Sequence, residues 1–484
     1  AGGQIYLADA NANDETIALL ASILEQDPTV YRFEQPRPDV EIVIKDYEAG
    51  LEDLLQDCSD SRVAIGADSK TVLEQIAAKI PDSKRTLLVS QDTKGLSEVA
   101  DFLLDPNAGV DSLDCLLYSP TLGTGISIES DRFEHVYYIA TNTATAEDWL
   151  QGARRVRPAK KVTVLLRQVK GDETLLTDPG EILNRRETRA RYEFRDGAPQ
   201  MVSVDALIVV KEAQQNRLRR NPKKSFIDLC KARGFSVTVD NDAPKNKTLV
   251  KQLNADHQHA KRRAIQDAAP LDEFTAESLQ RGRRAKTPTL AAQLERFCIT
   301  SEFTLEPDAE IPADIFDRWN FGRGLATLHR ADNALGSDAA VNARSDAEKQ
   351  KPAASCKTPK LQRDIFRRLL HRLNIDLETG QGSFTAQDAL ELWRELHTWR
   401  DIAADEIHIP DKAPKYPARW ASEQLAKLGL ETASTQTRAN GRKRIYSITA
   451  SSWRFVTDLA RQREQVSHMP YRESISGCEQ GIAA

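Results

Sequence analysis

Between residues 151 and 157 the chain reads QGARRVR, placing Gln151, Arg154, Arg155 and Arg157 within one short segment. A guanidinium is planar, permanently charged and able to grip phosphate oxygens through two parallel N–H donors. Brought to a transferring phosphoryl group, it stabilises the charge that develops there. The same cations would serve a solvated helix end, where positive charge complements the helix dipole. Residues four apart share a helix face, so the spacing predicts Gln151 and Arg155 on one side of a helix over 146–156, with Arg154 adjacent. Pro158 then ends it. Upstream, CLLYSPTLGTGISIES (115–130) runs from an apolar strand into a loop with Gly123, Gly125 and Ser127. Glycines at a strand's carboxyl end let backbone N–H groups approach an anion. They suit a tight strand-to-helix turn equally well.

Other segments invite a chemical reading. Near the C-terminus, RANGRK (438–443) sets an Asn440-Gly441 turn between two strand-like runs, and Asn-Gly supplies the positive-φ pair of a tight hairpin. Arg438, Arg442, Lys443 and Arg444 cluster at its tip, with Tyr446 beyond. Such a tip suits DNA phosphates, or keeps an edge hairpin from pairing with other strands. Arg363, Arg367, Arg368 and Arg372 recur along one helix, and basic stretches (NRLRRNPKKS, HAKRRA, RGRRAK) punctuate the middle of the chain. Among these, Arg217, Arg219, Arg220, Lys223, Lys224, Lys261, Arg262 and Arg263 could track a nucleic-acid backbone or form solvated helix faces. His257-x-His259 lacks further ligands at metal spacing, so no metal site is expected. GADSKT (66–71) lacks the spaced first glycine of a P-loop and has Ser before its Lys, which excludes that motif. Trp393, Trp399, Trp420 and Trp453 read as core, and no Ser/His/Asp set stands out.

The elements that must carry these residues follow from periodicity. Apolar runs at 40–44, 62–67, 85–90, 113–119, 135–141 and 161–166 are short and rich in Val, Ile and Leu, and helix-period segments at 70–80, 96–104 and 146–156 alternate with them. That alternation predicts a parallel sheet covered on both faces. From about 180 to 345 the pattern is helical; 334–357 is small, polar and aperiodic and reads as a linker. The unit at 358–464 reads as helices, strand, turn, strand and a final helix, and 465–484 as a frayed, disordered tail.

The 484 residues allow two to four domains. A net charge of −5 conceals an asymmetry: residues 1–153 carry 10 basic and 28 acidic side chains, whereas 154–484 carry 57 and 44. Polyanion partners are therefore expected for the later two-thirds. Six widely spaced cysteines without a CxxC pair point to a reducing compartment. No apolar run reaches the roughly 18 residues of a membrane helix, and the start AGGQIYLADA lacks the features of a secretory signal. A cytoplasmic protein without a membrane partner is expected, and the absent initiator Met with an immediate strand-like start suggests a portion of a longer protein.

Taken together, YSPTLGTGIS and QGARRVR resemble motifs V and VI of superfamily 2 helicases, in the branch of herpesvirus-type origin-binding proteins and cyanobacterial RepA-like plasmid replication proteins. Asp9-Ala10-Asn11 in IYLADAN would stand in the place of motif III, and RVAIGADSKTVLEQIAAKI (62–80) resembles motif IV. The resemblance implies Gly123, Gly125, Ser127 and Arg154 at the nucleotide, and Gln151, Arg155 and Arg157 acting catalytically on its γ-phosphate. It implies ATP and Mg²⁺ as cofactors of the intact protein, with DNA and a primase or other replication proteins as partners. The motif departs from the common form: it is shorter and has Arg154 where glycine is usual. It does not separate Arg155 from Arg157 as the finger. No P-loop or acidic box precedes residue 9, so this chain alone is not expected to hydrolyse ATP.

The implied architecture is an α/β RecA-like parallel-sheet domain, then a mainly helical region and a C-terminal winged-helix-like domain. The implied boundaries are a remnant of the first lobe and linker (1–30), the second RecA-like lobe (31–172), a helical basic region (173–333), a linker (334–357), a winged-helix-like DNA-binding domain (358–464) and the tail (465–484). Three functions fit: part of an ATP-dependent DNA helicase of plasmid or phage-type replication; a non-enzymatic origin-binding initiator that keeps the lobe as a scaffold; and, last because it leaves QGARRVR without a job, a nucleotide-sugar or nucleotide-binding α/β enzyme that uses the Gly loop.

Overall fold

A computed structural model describes residues 39–122, 126–167, 169–194, 203–349, 351, 357–436 and 444–467, with isolated positions before 39. All six strands expected from the apolar runs form: β1 (Glu41–Asp46), β2 (Val63–Ala67), β3 (Thr86–Val89), β4 (Cys115–Tyr118), β5 (His135–Ala140) and β6 (Lys161–Leu166). A seventh, β7 (Ser236–Asp240), joins them in the order β3-β4-β2-β5-β6-β1-β7, with every pair parallel.

Strand β7 corrects the expectation of a helical stretch from 173 to 333. It pairs Val237 and Val239 with Ile42 and Ile44 of β1. As an edge strand it is mostly exposed, so SVTVD carries none of the continuous apolar character that marks the inner strands.

Helices cover both faces, as a parallel sheet requires, because side chains alternate across the pleat. One face buries Ile42, Ile44, Ala64, Leu116 and Val164 against α3 (Ser97–Leu104), α4 (Ala146–Ala153) and α7 (Pro222–Ala232). There Trp149 meets Phe226 edge-on, with centroids 5.8 Å apart, a geometry that adds about 0.5–1.5 kcal/mol beyond simple burial. The other face buries Val63, Ile65, Leu117 and Ile139 against α1 (Tyr47–Asp60), α2 (Lys70–Ala77) and α8 (Lys247–Gln266). The helices between and after these are α5 (Pro179–Glu193), α6 (Ser203–Arg220), α9 (Glu273–Gln280) and α10 (Pro288–Glu302). The chain divides into two compact units, the first of which takes Ala1–Thr177 and Lys211–Cys298. The second takes Asp178–Val210 and Ile299–Ile475.

The second unit is helical. It contains α5, then α11 (Ala313–Trp319), α12 (Leu325–Leu335), α13 (Asp338–Glu348), α14 (Pro359–Arg372), α15 (Ala386–His397) and α16 (Pro417–Ala426). An antiparallel pair follows, β8 (Thr432–Gln436) and β9 (Arg444–Ile448), before α17 (Ala450–Ser467). Phe384 bridges Tyr446 of β9 through reciprocal N–H···O bonds of 2.9 Å, and their rings stack 5.5 Å apart. The core gathers Leu361, Phe366, Leu370, Leu396, Trp420 and Trp453.

The segment read as a linker holds helix α13. Ser337 caps it by accepting from the Ala340 amide at 3.2 Å, and Val341 and Ser345 are fully buried. Small residues stripped the sequence of apolar periodicity while leaving a good cap and high helix propensity. The proposed remnant at 1–30, motif III included, and the tail beyond Ser467 fall almost wholly outside the described residues.

Candidate functional site

Helix α4 carries the first part of QGARRVR, and its start is fixed by a capping box: Thr145 Oγ1 accepts from the Asp148 amide at 3.4 Å, and Asp148 accepts from the Thr145 amide at 2.9 Å. A deeper anchor is Asp68, buried just after β2. Its carboxylate accepts from the Thr141 amide (2.8 Å), Thr141 Oγ1 (2.7 Å), the Ala144 amide (3.3 Å) and Trp149 Nε1 (2.9 Å). Burial raises the Asp68 pKa, and those donors partly oppose it. Sequence reasoning missed this residue, because a lone aspartate after a strand carries no local signal of its distant donors.

The helix ends at Ala153, short of the predicted span. Arg155, Val156 and Arg157 instead run alongside Ile126–Ile128: Ile128 N–H donates to Arg155 O at 2.8 Å and Arg157 N–H to Ile128 O at 2.9 Å. Gln151 and Arg155 therefore do not share a helix face. The tertiary bridge takes the backbone that the next helical turn would need. The consequence is that the two stretches singled out in sequence meet, at the amino-terminal edge of the sheet, where β5 and β6 begin. Gly123 and Gly125 lie outside the described residues. Ser127 is described, and its hydroxyl donates to Glu129 at 2.6 Å.

The three arginines have different surroundings. Arg154 braces the turn, donating to Ala159 O and Arg157 O at 3.1 Å each, with its guanidinium 5.9 Å from the Phe235 ring. Arg155 is half-buried and donates through Nη1 to Ile126 O at 2.8 Å. Burial, together with the charge of Arg157, holds the Arg155 pKa below its ordinary value. It nonetheless stays charged. Arg157 and Gln151 are exposed, and the Arg157 guanidinium makes no hydrogen bond or ion pair with any described residue. Beneath them Tyr118 donates to Gly152 O at 3.1 Å, and a Cβ at Gly152 would stand 2.4 Å from the Tyr138 ring. Glycine is required at that close approach.

Elsewhere, most expected cations are engaged within their own unit. Arg363 and Arg367 reach Asp338 at 3.0 and 3.1 Å, and Arg368 reaches Glu395 at 2.5 Å, with Arg372 on the same carboxylate. These guanidiniums share the carboxylates of Asp338, Glu395 and Asp364, so each is paired while the helix keeps a net positive charge. In the middle region Arg217 and Arg220 donate to the carbonyls of Thr177 and Leu175, Lys261 pairs with Glu295 at 3.0 Å and Arg263 with Asp267 at 3.6 Å. Arg438, Arg442 and Lys443 lie outside the described residues; Arg444 opens β9 and is exposed. Trp420 donates to His408 O and Trp393 to Pro410 O, while Trp453 is buried. His257 faces Glu74 at 3.5 Å, and His259 is exposed. Among the described residues no group of three or more His, Cys, Asp or Glu could hold a metal ion, and no helix is long and apolar enough to cross a membrane.

The carboxyl-terminal edge of the sheet holds a second polar cluster that the sequence did not announce. Lys70 pairs with Asp92 at 2.6 Å, and Arg167 donates to Gln75 and Asn254 with its guanidinium 5.0 Å from the Tyr47 ring. Its ion pair and amide contacts are made inside the first unit, while the buried Tyr47 hydroxyl has no partner among the described residues. No protein-family model and no curated protein matches the chain.

Proposed function

We propose that the first unit is the second RecA-like lobe of a nucleic-acid-dependent ATPase of the superfamily 2 type, and that 358–464 is a winged-helix DNA-binding domain of a replication protein. The observation that carries the reading is the pairing of Ile126–Ile128 with Arg155–Arg157, which joins the loop like motif V to the segment like motif VI. Within that pairing the arginines divide their roles. Arg157, exposed and unpartnered among the described residues, serves as the finger that meets the γ-phosphate. Arg155, tied by one nitrogen to Ile126 O, positions the loop and shares the charge; Arg154 holds the turn. ATP bound elsewhere fits these guanidiniums. No step is assigned to Mg²⁺, whose protein ligands the resemblance puts in the first lobe.

The winged-helix reading is supported by the order α14, Phe384, α15, α16, β8, β9, in which Phe384 makes a single antiparallel bridge to Tyr446. The test is ATP turnover by the protein together with a P-loop lobe, in cis or supplied separately. Arg157→Ala abolishes DNA-stimulated hydrolysis, a loss on the order of 10³-fold, with DNA affinity retained. Unchanged turnover would sink the finger assignment.

A further inference from the structure

The basic stretch RGRRAK (281–286) has surroundings unlike those of the other basic segments. It leaves the end of α9 and is folded back by Arg281 N–H to Glu277 O (2.9 Å), Gly282 N–H to Leu279 O (3.3 Å) and Arg283 N–H to Ser278 O (2.9 Å). Its far end is pinned to the loop after the edge strand β3, where Gly95 N–H donates to Lys286 O at 2.7 Å. A Cβ at Gly95 would lie 2.6 Å from that oxygen, so the contact depends on glycine. Thr287 then caps α10 by accepting from the Leu290 amide at 3.2 Å. The loop is thus held in one shape at the carboxyl-terminal edge of the sheet.

Held there, it concentrates like charge. Arg283, Arg284 and Lys286, with Lys94 beside Gly95, have no hydrogen-bonding or ionic partner for their side chains among the described residues. Arg281 pairs with Glu277 at 2.5 Å, and the nearby acid Asp92 is taken by Lys70. Fixed cations brought together repel one another, and among the described residues no ion pair to these four side chains offsets that cost. On α9, Phe274 is 80% exposed and shares a helix face with Ser278 and Arg281. A large apolar ring in water beside unpaired guanidiniums combines the two components that hold a single strand: a cationic track for phosphates and a platform for a base.

We propose that Lys94, Arg283, Arg284, Lys286 and Phe274 form a binding site for single-stranded nucleic acid. The phosphates lie along the loop and one base stacks on Phe274. The site stands on the first unit alone and is independent of both the ATPase reading and the wing.

The test uses the full chain and a fluorescent oligo(dT), with affinity measured across a salt series. Arg283→Ala with Arg284→Ala weakens binding by about ten-fold and lowers the slope of log affinity against log salt by about 1.4, two phosphates at about 0.7 each. Phe274→Ala weakens binding by about ten-fold with the slope unchanged. All three positions are exposed, so the fold tolerates the changes. An affinity and slope unaltered by the arginine pair overturn the site; indifference to Phe274→Ala overturns the single-strand assignment. Arg419→Ala, an exposed arginine of the second unit that belongs to neither site, leaves oligo(dT) binding as it was, and a loss there would place the strand elsewhere.

Discussion

Trp149 Nε1 donates to the buried carboxylate of Asp68 at 2.9 Å, tying the end of β2 to the middle of α4. Because the same carboxylate also holds Thr141 and Ala144, one side chain sets where α4 starts and how it rolls, and so where Arg155 and Arg157 emerge. Asp68→Ala leaves several buried donors unsatisfied and is expected to destabilise the first unit by about 3 kcal/mol. Urea denaturation followed by tryptophan fluorescence measures it. The pH dependence has a definite sign. Burial raises the pKa, so the stability linked to this group is complete below the ordinary carboxylate pKa and lost as pH rises through the raised one. Asp68→Asn flattens that dependence, and an unchanged pH profile would remove Asp68 from the account.

Arg154 and Arg157 are three residues apart and are expected to fail in opposite ways. Arg154→Ala removes donors to Ala159 O and Arg157 O and lowers stability by about 1–2 kcal/mol. Arg157→Ala, altering an exposed side chain, leaves stability within about 0.5 kcal/mol. Thermal unfolding of the two variants side by side checks this; equal losses would contradict the division of roles.

Lys427 in the second unit is pushed down to about 8, by burial first and then by the charge of Arg330, while its Nζ donates to Glu406 O at 3.1 Å. In this folded unit it gives up its proton before the unfolded chain does. Between pH 8 and the ordinary lysine range the unfolded state holds more protons, so stability from this group rises with pH. Lys427→Met removes that rise. The check is the difference between wild-type and variant denaturation midpoints from pH 7 to 10; parallel curves would show that Lys427 titrates normally.

For the basic segment between β8 and β9, which lies outside the described residues, Arg442→Ala with Lys443→Ala is expected to weaken duplex DNA binding. It should lower the salt slope by about 1.8, two contacts at about 0.9 each. An unchanged slope would assign the duplex site to another surface.

How much was legible follows from where each signal lives. The six apolar strands and the helices near 70–80, 96–104 and 146–156 are local patterns, and each stands within a few residues of its expected place, whereas α1 was not anticipated. Strand β7 was not legible, because an exposed edge strand needs no apolar run. The end of α4 at Ala153 depends on Ile128, and the pairing of Arg363 and Arg367 on Asp338. Those are tertiary facts, invisible to a window of neighbours. The arginine cluster could be found by composition; that Arg154 would brace a turn while Arg157 reached solvent could not.

The placement of β1 between β6 and β7 bears on the order of assembly. Glu41 pairs with both Lys161 and Ser236, so an inner strand emerges from the ribosome long before its second neighbour. Synthesis must also pass through 178–210, which belongs to the second unit, before the first can be completed. During that interval α5 has none of its partners. Arg189 ends up buried between Ile402 O, Thr358 and Glu406, all made far later. Slow, non-local closure of this kind exposes apolar surface to aggregation. It also sets where the chain can be cut: a fragment starting at 358 would bury Glu406 without the guanidiniums of Arg189 and Arg330 that face it, so a stable C-terminal piece has to carry residues 178–194 and 325–335 with it.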